Sequence, residues 1–257
     1  MKTSTIMKFI GIIPARYAST RFPGKPLADL GGKPMIQWVY ENTLQSLDNV
    51  IVATDHPEIE AAVNRFGGKV IMTSPEHPSG TDRCAEVIDI LLQQGEVYDV
   101  ALNIQGDEPF IRNTHLSLLK QAFDSEETQI ATLANVIEDP EELFDPNVVK
   151  IVTGKGGRAL YFSRSPMPHQ RGRPESDWYS GFKYLKHLGM YAYRTDILSE
   201  IAKLKTSPLE QAESLEQLRW LEHGYSIKVH YTTEVGMGID TPEDLEKARE
   251  IISSQSS

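Results

Sequence analysis

Three cations lie in one short loop near the start of the sequence. The segment GIIPARYASTRFPGKPL, residues 11–27, opens with an apolar run and then carries Arg16, Arg21 and Lys25 among glycine, serine and proline. Small residues let the backbone approach a phosphate closely, and its N–H groups add partial positive charge. Arginine and lysine add charge-assisted hydrogen bonds. The loop therefore predicts an anion site, with a solvated basic turn as the alternative.

The loop matches neither of two common phosphate-binding fingerprints. It lacks the G-x-x-x-x-G-K-[ST] spacing of a P-loop and the G-x-G-x-x-G spacing of a dinucleotide-binding turn. It does follow a segment that reads as a buried strand, and ligands of parallel α/β sheets bind outside the carboxyl ends of the strands. We therefore expect the anion at a sheet edge.

Two aspartates are candidates for a metal site there. Asp107 follows an expected strand in NIQGDEP, and Asp240 precedes a helix in GIDTPEDLEKA, whose cap Thr241 and Asp244 can complete without it. Polyphosphate and carboxylates repel each other, so a site with both needs a divalent cation. Mg²⁺ accepts one or two carboxylates with phosphate oxygens and water, and it can activate a hydroxyl. Taken singly, Asp107 could be a turn residue and Asp240 a helix-dipole partner.

Other catalytic patterns are missing from the sequence. It contains no G-x-S-x-G elbow, no convincing Cys/His pair and no zinc spacing among its seven histidines. A covalent nucleophile is therefore not required by anything in the chain.

A second cationic cluster covers residues 164–187, which hold five Arg or Lys residues and two acids. Arg164 follows an expected strand, and His187 opens another. With Gln105 they could bind a carboxylate and sugar hydroxyls. The other cations of the segment are expected to be solvated loop charges: Arg171, Arg173, Lys183 and Lys186. On spacing alone, Glu216 is an ordinary acid of a helix surface.

The elements that must position these residues alternate along the first half of the chain. Expected strands cover 8–13, 50–54, 69–73, 99–105 and 130–136, and expected helices cover 33–46, 56–68, 80–94 and 113–123. This succession predicts an α/β fold with a mostly parallel, twisted sheet and helices on both faces.

The second half changes character. Expected strands cover 147–153, 157–163, 188–194 and 226–231, and expected helices cover 194–204, 209–223 and 241–252. The stretch 165–183 is rich in proline, glycine and charge, which is typical of a mobile lid or a partner-binding loop. We expect one domain over 7–257 with a smaller mixed β subregion at about 155–205.

Composition narrows the class of protein. The chain has 257 residues, 40% of them apolar and 24% charged, with a net charge of −10 that argues against a nucleic-acid binder. One cysteine excludes an internal disulfide and suits a reducing compartment. No stretch approaches the roughly 20 apolar residues of a membrane span. We expect a cytoplasmic protein with neither nucleic acid nor membrane as a partner.

Several long motifs together resemble one known family. They are IPARYASTRFPGKPL, VATDH, SGTDR, NIQGDEP, ALYFSR, HLGMYAYR, SPLEQAESLEQLRWLEHG and GIDTPEDLE, spread from about residue 9 to 249. In these the chain resembles the 3-deoxy-D-manno-octulosonate (Kdo) cytidylyltransferases, or CMP-Kdo synthetases, a branch of the sugar-acid cytidylyltransferases. The resemblance implies a nucleotide-diphospho-sugar-transferase-like fold, a homodimer with its interface near 160–200, and the reaction of CTP with Kdo to give CMP-Kdo and pyrophosphate for lipopolysaccharide biosynthesis.

The same resemblance implies a role for particular residues. Residues for the triphosphate are Arg16, Lys25 and Arg21, and those near cytidine are Pro14, Ala15, Thr54, Asp55, Gly80 and Arg83. Mg²⁺ would be held by Asp107 and Asp240, which with Lys25 and Arg16 form the expected catalytic set. Residues for the sugar acid are Gln105, Arg164, His187, Tyr191 and Glu216.

Alternatives remain open on the sequence alone. The acceptor could be 8-amino-Kdo, a sialic acid or a sugar 1-phosphate, although a sugar phosphate would need cations where a keto-acid needs a planar carboxylate grip such as Arg164. A non-catalytic nucleotide-binding module would require the loss of Asp107, Asp240 or Lys25, and all three are present.

Overall fold

The structure is a computed structural model, and it describes residues 7–18, 22–234 and 236–255. The chain divides into two compact units. The first comprises residues 1–117, 194–202 and 236–257, and the second comprises residues 118–193 and 203–235. The predicted domain bounds of 7–257 and 155–205 are not tested by this division and stay a prediction.

Strands and helices alternate along the chain. The strands, in chain order, are β1 (Phe9–Ala15), β2 (Asp29–Leu30), β3 (Lys33–Pro34), β4 (Val50–Thr54), β5 (Val70–Met72), β6 (Val100–Asn103), β7 (Ile130–Val136), β8 (Lys150–Thr153), β9 (Ala159–Ser163), β10 (Leu185–Arg194) and β11 (Ile227–Tyr231). The helices are α1 (Met35–Leu44), α2 (Pro57–Arg65), α3 (Gly80–Gln93), α4 (Asn113–Gln121), α5 (Pro140–Phe144), α6 (Trp178–Gly181), α7 (Thr195–Ile201), α8 (Pro208–Glu213), α9 (Glu216–Glu222) and α10 (Pro242–Gln255). This order confirms the predicted α/β fold.

A parallel sheet forms the centre of the first unit. Its strand order is β6-β1-β4-β5, with Gly11 opposite Val50 and Phe9 opposite Val100. Successive side chains of a strand point to opposite faces, and Ile12 and Ile13 of β1 are both fully buried. Both faces of β1 are therefore covered, and each such isoleucine contributes about 1.5–3 kcal/mol.

A mixed sheet forms the second unit. Strand β7 lies between β11, which is parallel to it, and β10, which is antiparallel to it. Strands β8 and β9 pair with each other, and β8 also pairs with β10. The register of β10 against β7 shifts between Leu188 and Tyr191. This mixed sheet confirms the predicted second, smaller β region.

The helix predicted over 209–223 is two helices, α8 and α9, so that prediction is wrong. Ser207 and Glu210 form a capping box that begins α8. Ser214 then adopts a left-handed conformation (φ 51°), and Leu215 is extended. The apolar spacing continues across this break, which is why the pattern suggested one helix.

Short elements were also missed. Helices α5 and α6 have five and four residues, and the β2–β3 hairpin has two residues in each strand. None of these is long enough to establish a period of 3.6 or 2 residues. No helix within residues 7–18, 22–234 and 236–255 has the length and hydropathy that a membrane span requires.

Candidate active site

A polar cavity of about 450 Å³ opens in the first unit, at the carboxyl ends of β1 and β6. Its walls come from the loop after β1, the start of α3 and the loop after β6. The lining residues are Pro14, Ala15, Arg16, Ala18, Lys25, Pro26, Ser79, Gly80, Arg83, Gln105, Gly106 and Asp107. The cavity is therefore where parallel α/β sheets bind their ligands.

The start of α3 supplies backbone donors to this cavity. Ser79 is the N-cap, and its hydroxyl accepts from the Asp82 N–H. The first N–H groups of a 14-residue helix carry partial positive charge, which favours an anion. The helix terminus and the cationic loop thus face the same space with the same sign of charge.

Two glycines allow the loops to meet closely. A Cβ on Gly106 would lie 2.8 Å from the carbonyl oxygen of Pro14, which no real side chain tolerates. Gly24 adopts φ 71° immediately before the 3-10 turn Lys25–Leu27, and its N–H donates to the Tyr17 carbonyl. Gly24 therefore sets the direction in which Lys25 leaves the loop.

The cationic loop is braced against the loop after β4. The Tyr17 ring stacks on the His56 ring, with centroids 3.9 Å apart. His56 is itself the N-cap of α2, where Nδ1 accepts from the Glu58 N–H. Arg16 is exposed beside Tyr17, and Arg21 lies outside the described residues. Of the three predicted cations, the structure places Arg16 and Lys25 at the cavity.

Lys25 lies between the two predicted metal ligands. Its Nζ is 2.7 Å from Asp107 Oδ2 and 3.3 Å from Asp240 Oδ1. The lysine side chain is only 13% exposed, against 33% and 54% for the aspartates. One ammonium neutralises at most one of the two carboxylates, so this trio keeps a net negative charge.

The two aspartates fit a magnesium ion. Their carboxylates converge on one cation, the Lys25 ammonium, which marks a position where positive charge is already bound. Mg²⁺ usually takes one or two carboxylates and completes its octahedron with phosphate oxygens and water. No group of three or more His, Cys, Asp or Glu side chains suited to a metal occurs in the described part of the chain. With two carboxylates, the other positions around such an ion would be left to phosphate oxygens and water.

Glu108 adds an acid beside Asp107. Burial, and then the charge of Asp107, raise the pKa of Glu108 to about 7. Its Oε2 is buried and has no hydrogen-bond partner among residues 7–18, 22–234 and 236–255. Protonation of Glu108 below that pH limits the negative charge next to the two aspartates.

Arg83 is buried and already paired. Its Nη2 donates to Asp55 Oδ2 at 2.8 Å, and its Nη1 donates to the Thr73 hydroxyl. Thr54 is also buried, and its hydroxyl accepts from the His56 N–H. Arg83 thus lines the cavity. Thr54 and Asp55, which were predicted to lie near cytidine, are not among the residues that line it.

Arg164, in the second unit, binds main-chain carbonyls. Its Nε donates to Glu213 O at 2.7 Å, Nη1 to Pro146 O at 2.9 Å and Nη2 to Ser214 O at 3.3 Å. The Glu213 carboxylate in turn accepts from the Ser163 hydroxyl and from the Arg164 N–H. Arg164 therefore holds the left-handed turn at Ser214, and these bonds use three of its five donors.

The remaining predicted sugar residues of the second unit share one neighbourhood. The rings of His187 and Tyr191 have centroids 5.2 Å apart, and Trp220 meets the Tyr191 ring edge-on. Burial, and then the charge of Glu216, raise the pKa of Tyr191 well above its ordinary value. Glu216 begins α9 and accepts from Arg219 Nη2 at 2.7 Å. Burial lowers the pKa of His187 to about 3, so its ring is neutral.

Some lining residues were not singled out in the sequence. They are Ala18, Pro26, Ser79 and Gly106. Ser79 could have been found, because a serine directly before the helical GTDR segment is an N-cap signal. Gly106 lies inside the quoted NIQGDEP motif, but only its distance to Pro14 shows that a side chain is excluded there.

Known proteins resemble this chain over nearly its whole length. A sequence model of the family described as "Cytidylyltransferase" matches residues 10–228. A 3-deoxy-manno-octulosonate cytidylyltransferase of Parabacteroides distasonis is 56% identical over 247 residues, covering 95% of this chain and 97% of that protein. One of Phocaeicola vulgatus is 57% identical over 245 residues, covering 94% and 96%. A solved CMP:2-keto-3-deoxy-manno-octonic acid synthetase complexed with CTP has a TM-score of 0.87 at 45% identity, covering 96% of this chain and 99% of that one.

Proposed function

This chain belongs to the cytidylyltransferase family, and on that premise we propose that it transfers CMP from CTP to the anomeric hydroxyl of Kdo. The new bond joins the sugar oxygen to the α-phosphorus, and the bond between the α-phosphorus and the bridging oxygen breaks. Pyrophosphate leaves, and the hydroxyl proton goes to solvent. The relatives named for this activity and the CTP complex of a similar structure support the assignment.

One observation of this structure carries the proposal. Lys25 Nζ lies within 3.3 Å of carboxylate oxygens from both Asp107 and Asp240, at the wall of a polar cavity at a sheet edge. Two carboxylates and a cation suit a metal–triphosphate complex, because the carboxylates can hold the metal and the ammonium can bind the phosphates.

The residues of the cavity divide the work on CTP. Arg16 and Lys25 would bind the phosphates and stabilise the leaving pyrophosphate, with Arg21 as a third predicted cation. The N–H groups at the start of α3, near Gly80, add donors. Pro14, Ala15, Thr54, Asp55 and Arg83 would position cytidine.

Asp107 and Asp240 would hold Mg²⁺. When bound, the ion supplies neutralisation of phosphate charge and a lower pKa for the attacking hydroxyl. Lys25 would exchange its bonds to the two carboxylates for bonds to phosphate oxygens. Its charge therefore remains in the site throughout, first on the acids and then on the nucleotide.

The sugar acid would be bound by Gln105, Arg164, His187, Tyr191 and Glu216. The two N–H donors of Arg164 that main-chain carbonyls do not use suit one carboxylate. His187 is neutral, so it suits hydroxyl groups rather than the carboxylate.

Pyrophosphate release tests the function directly. The enzyme is assayed with Mg²⁺, with CTP against the other nucleoside triphosphates, and with Kdo against 8-amino-Kdo and N-acetylneuraminate. Release with CTP and Kdo alone is the expected result. Release with a different sugar acid would keep the phosphate chemistry and reassign the acceptor, and no release with any pair would favour a non-catalytic nucleotide-binding module.

We also propose a homodimer in the cytoplasm. Within the 160–200 segment, Leu160 and Phe182 are 59% and 47% exposed, and they would supply apolar surface to such an interface. The single cysteine, Cys84, is buried and reduced, as suits that compartment. Light scattering should give twice the chain mass, and Phe182→Ser should weaken the association, with Lys183→Ser as the control.

A further inference from the structure

Thr132 lies at the centre of the second unit, where two strands lose their regular pairing. It is fully buried in the middle of β7, opposite the irregular stretch of β10 between Leu188 and Tyr191. Its hydroxyl contacts three atoms of β10. These are His187 Nε2 at 2.9 Å, Met190 O at 2.7 Å and Leu188 O at 3.2 Å.

The proton of this hydroxyl can be assigned by counting donors. A threonine hydroxyl has one proton, and a carbonyl oxygen can only accept. Two of the three neighbours are carbonyl oxygens, so the Thr132 proton must go to one of them. The shorter contact, 2.7 Å to Met190 O, is that hydrogen bond. Its lone pair then faces His187 Nε2, which must carry a proton to make the 2.9 Å contact favourable.

The other ring nitrogen follows from this assignment. A neutral imidazole has one N–H, and burial keeps His187 neutral. With the proton on Nε2, Nδ1 carries a lone pair. The described residues 7–18, 22–234 and 236–255 offer Nδ1 no hydrogen-bond partner, and residue His187 is half-buried rather than fully enclosed. The edge of the ring therefore presents an acceptor to a ligand.

We propose that Thr132 is a positioning residue that holds His187 in the Nε2–H tautomer, so that Nδ1 accepts a hydrogen bond from a hydroxyl of the sugar acid. The ring plane is held as well, because His187 packs edge-on against Phe162 and beside Tyr191. This inference rests on the proposed function, since it needs a polyhydroxylated acceptor. It assigns to Thr132 a part in choosing hydroxyl donors over acceptors such as carboxylate oxygens.

The tautomer can be measured without any substrate. The enzyme is labelled with ¹⁵N-histidine, and the His187 signals are identified by their loss in His187→Gln. Wild type should show a protonated Nε2 and an unprotonated Nδ1 from pH 5 to 8. Thr132→Val removes the hydroxyl at nearly constant shape and should give a mixture of tautomers, while Thr132→Ser should restore the wild-type pattern. An Nδ1–H or doubly protonated wild-type ring would overturn the proposal.

Kinetics then test the consequence for the sugar. Thr132→Val should raise the KM for Kdo about tenfold, the loss of one aligned hydrogen bond, with the CTP dissociation constant unchanged. Thr132→Ser should stay within about twofold of wild type. An unchanged KM in Thr132→Val would overturn the proposal, as would an equal fall for CTP binding. If Thr132→Val does not fold, an Nδ1–H or doubly protonated ring in the wild-type spectrum still overturns the proposal.

Catalytic activity and the His187 tautomer are measured separately. If wild type releases no pyrophosphate from CTP and Kdo, the proposed function is overturned and the role of Nδ1 towards the sugar falls with it. The ¹⁵N spectrum does not depend on that result. It decides alone whether Thr132 sets the tautomer.

Discussion

The residues predicted to bind the nucleotide and those predicted to bind the sugar acid use opposite chemistry. In the first unit, Lys25, Asp107 and Asp240 form a charged trio. In the second unit, His187 is neutral and its neighbours are aromatic rings and a buried hydroxyl. A polyphosphate needs protein cations that can bind its oxygens, because negative charge develops on the leaving group. A polyhydroxylated acid needs hydrogen bonds of fixed direction, which a neutral ring supplies without a desolvated charge.

The largest effect should come from Asp107→Asn. It removes a carboxylate that would hold the metal, so turnover should fall by about 10²-fold or more while the melting temperature changes little. Asp48→Asn, an exposed acid, makes the same charge change away from the cavity and is the control. A near-normal kcat in Asp107→Asn would contradict the metal assignment.

Lys25→Ala should have the next largest effect. It removes the cation that would pass to the triphosphate, so kcat/KM for CTP should fall by about 10²-fold. In the absence of nucleotide it also removes the competitor for the two carboxylates, and Mn²⁺ binding measured by electron paramagnetic resonance should tighten. Lys69→Ala, on the exposed surface, is the control. If only the KM for the sugar changes, Lys25 binds the sugar acid and not the triphosphate.

Arg164→Lys separates charge from geometry in the second unit. A lysine keeps the charge but cannot reach three carbonyls in different directions, so the turn at Ser214 should loosen. We expect a loss of about 2 kcal/mol in the free energy of unfolding from urea titration and a higher KM for the sugar, with CTP binding unchanged. Arg171→Lys in the exposed loop is the control. Equal stability of both variants would show that Arg164 does not stabilise the turn at Ser214.

The smallest effect concerns the pH dependence of stability. His187 has a pKa of about 3 in the folded chain against about 6.5 when unfolded, so the unfolded state binds more protons between these values. The contribution of the neutral His187 ring to the free energy of unfolding is complete above pH 6.5, and it is lost as the pH falls towards 3. Urea unfolding of wild type and His187→Asn at pH 5.0 and 7.5 should show a smaller pH difference in the variant. Equal pH differences would mean that His187 is not buried as a neutral ring.

Local patterns were sufficient for most of the longer elements of both units. The runs that predicted strands at 50–54 and 130–136 have the same bounds in the structure. They succeed because a strand buried on both faces reads as a continuous apolar run. The break at Ser214 was not predictable, because a left-handed serine leaves no compositional sign and is stabilised by Arg164 from a distant part of the chain.

The sequence by itself determined the chemistry that this chain carries. It supplied the cations of the first loop, the two aspartates and the order of strands that brings Asp107 to the edge of a parallel sheet. These follow from residue types and from local periodicity, which short segments contain. The family followed from the same motifs.

Only the tertiary structure decided how these groups are paired. It placed Lys25 between Asp107 and Asp240, which lie 133 positions apart in the sequence. It also directed three N–H donors of Arg164 to main-chain carbonyls. It set the Thr132 hydroxyl 2.9 Å from His187 Nε2, a contact that no local pattern encodes. Hydrogen-bond partners and protonation depend on distances between segments remote in sequence, and these exist only once the chain is folded.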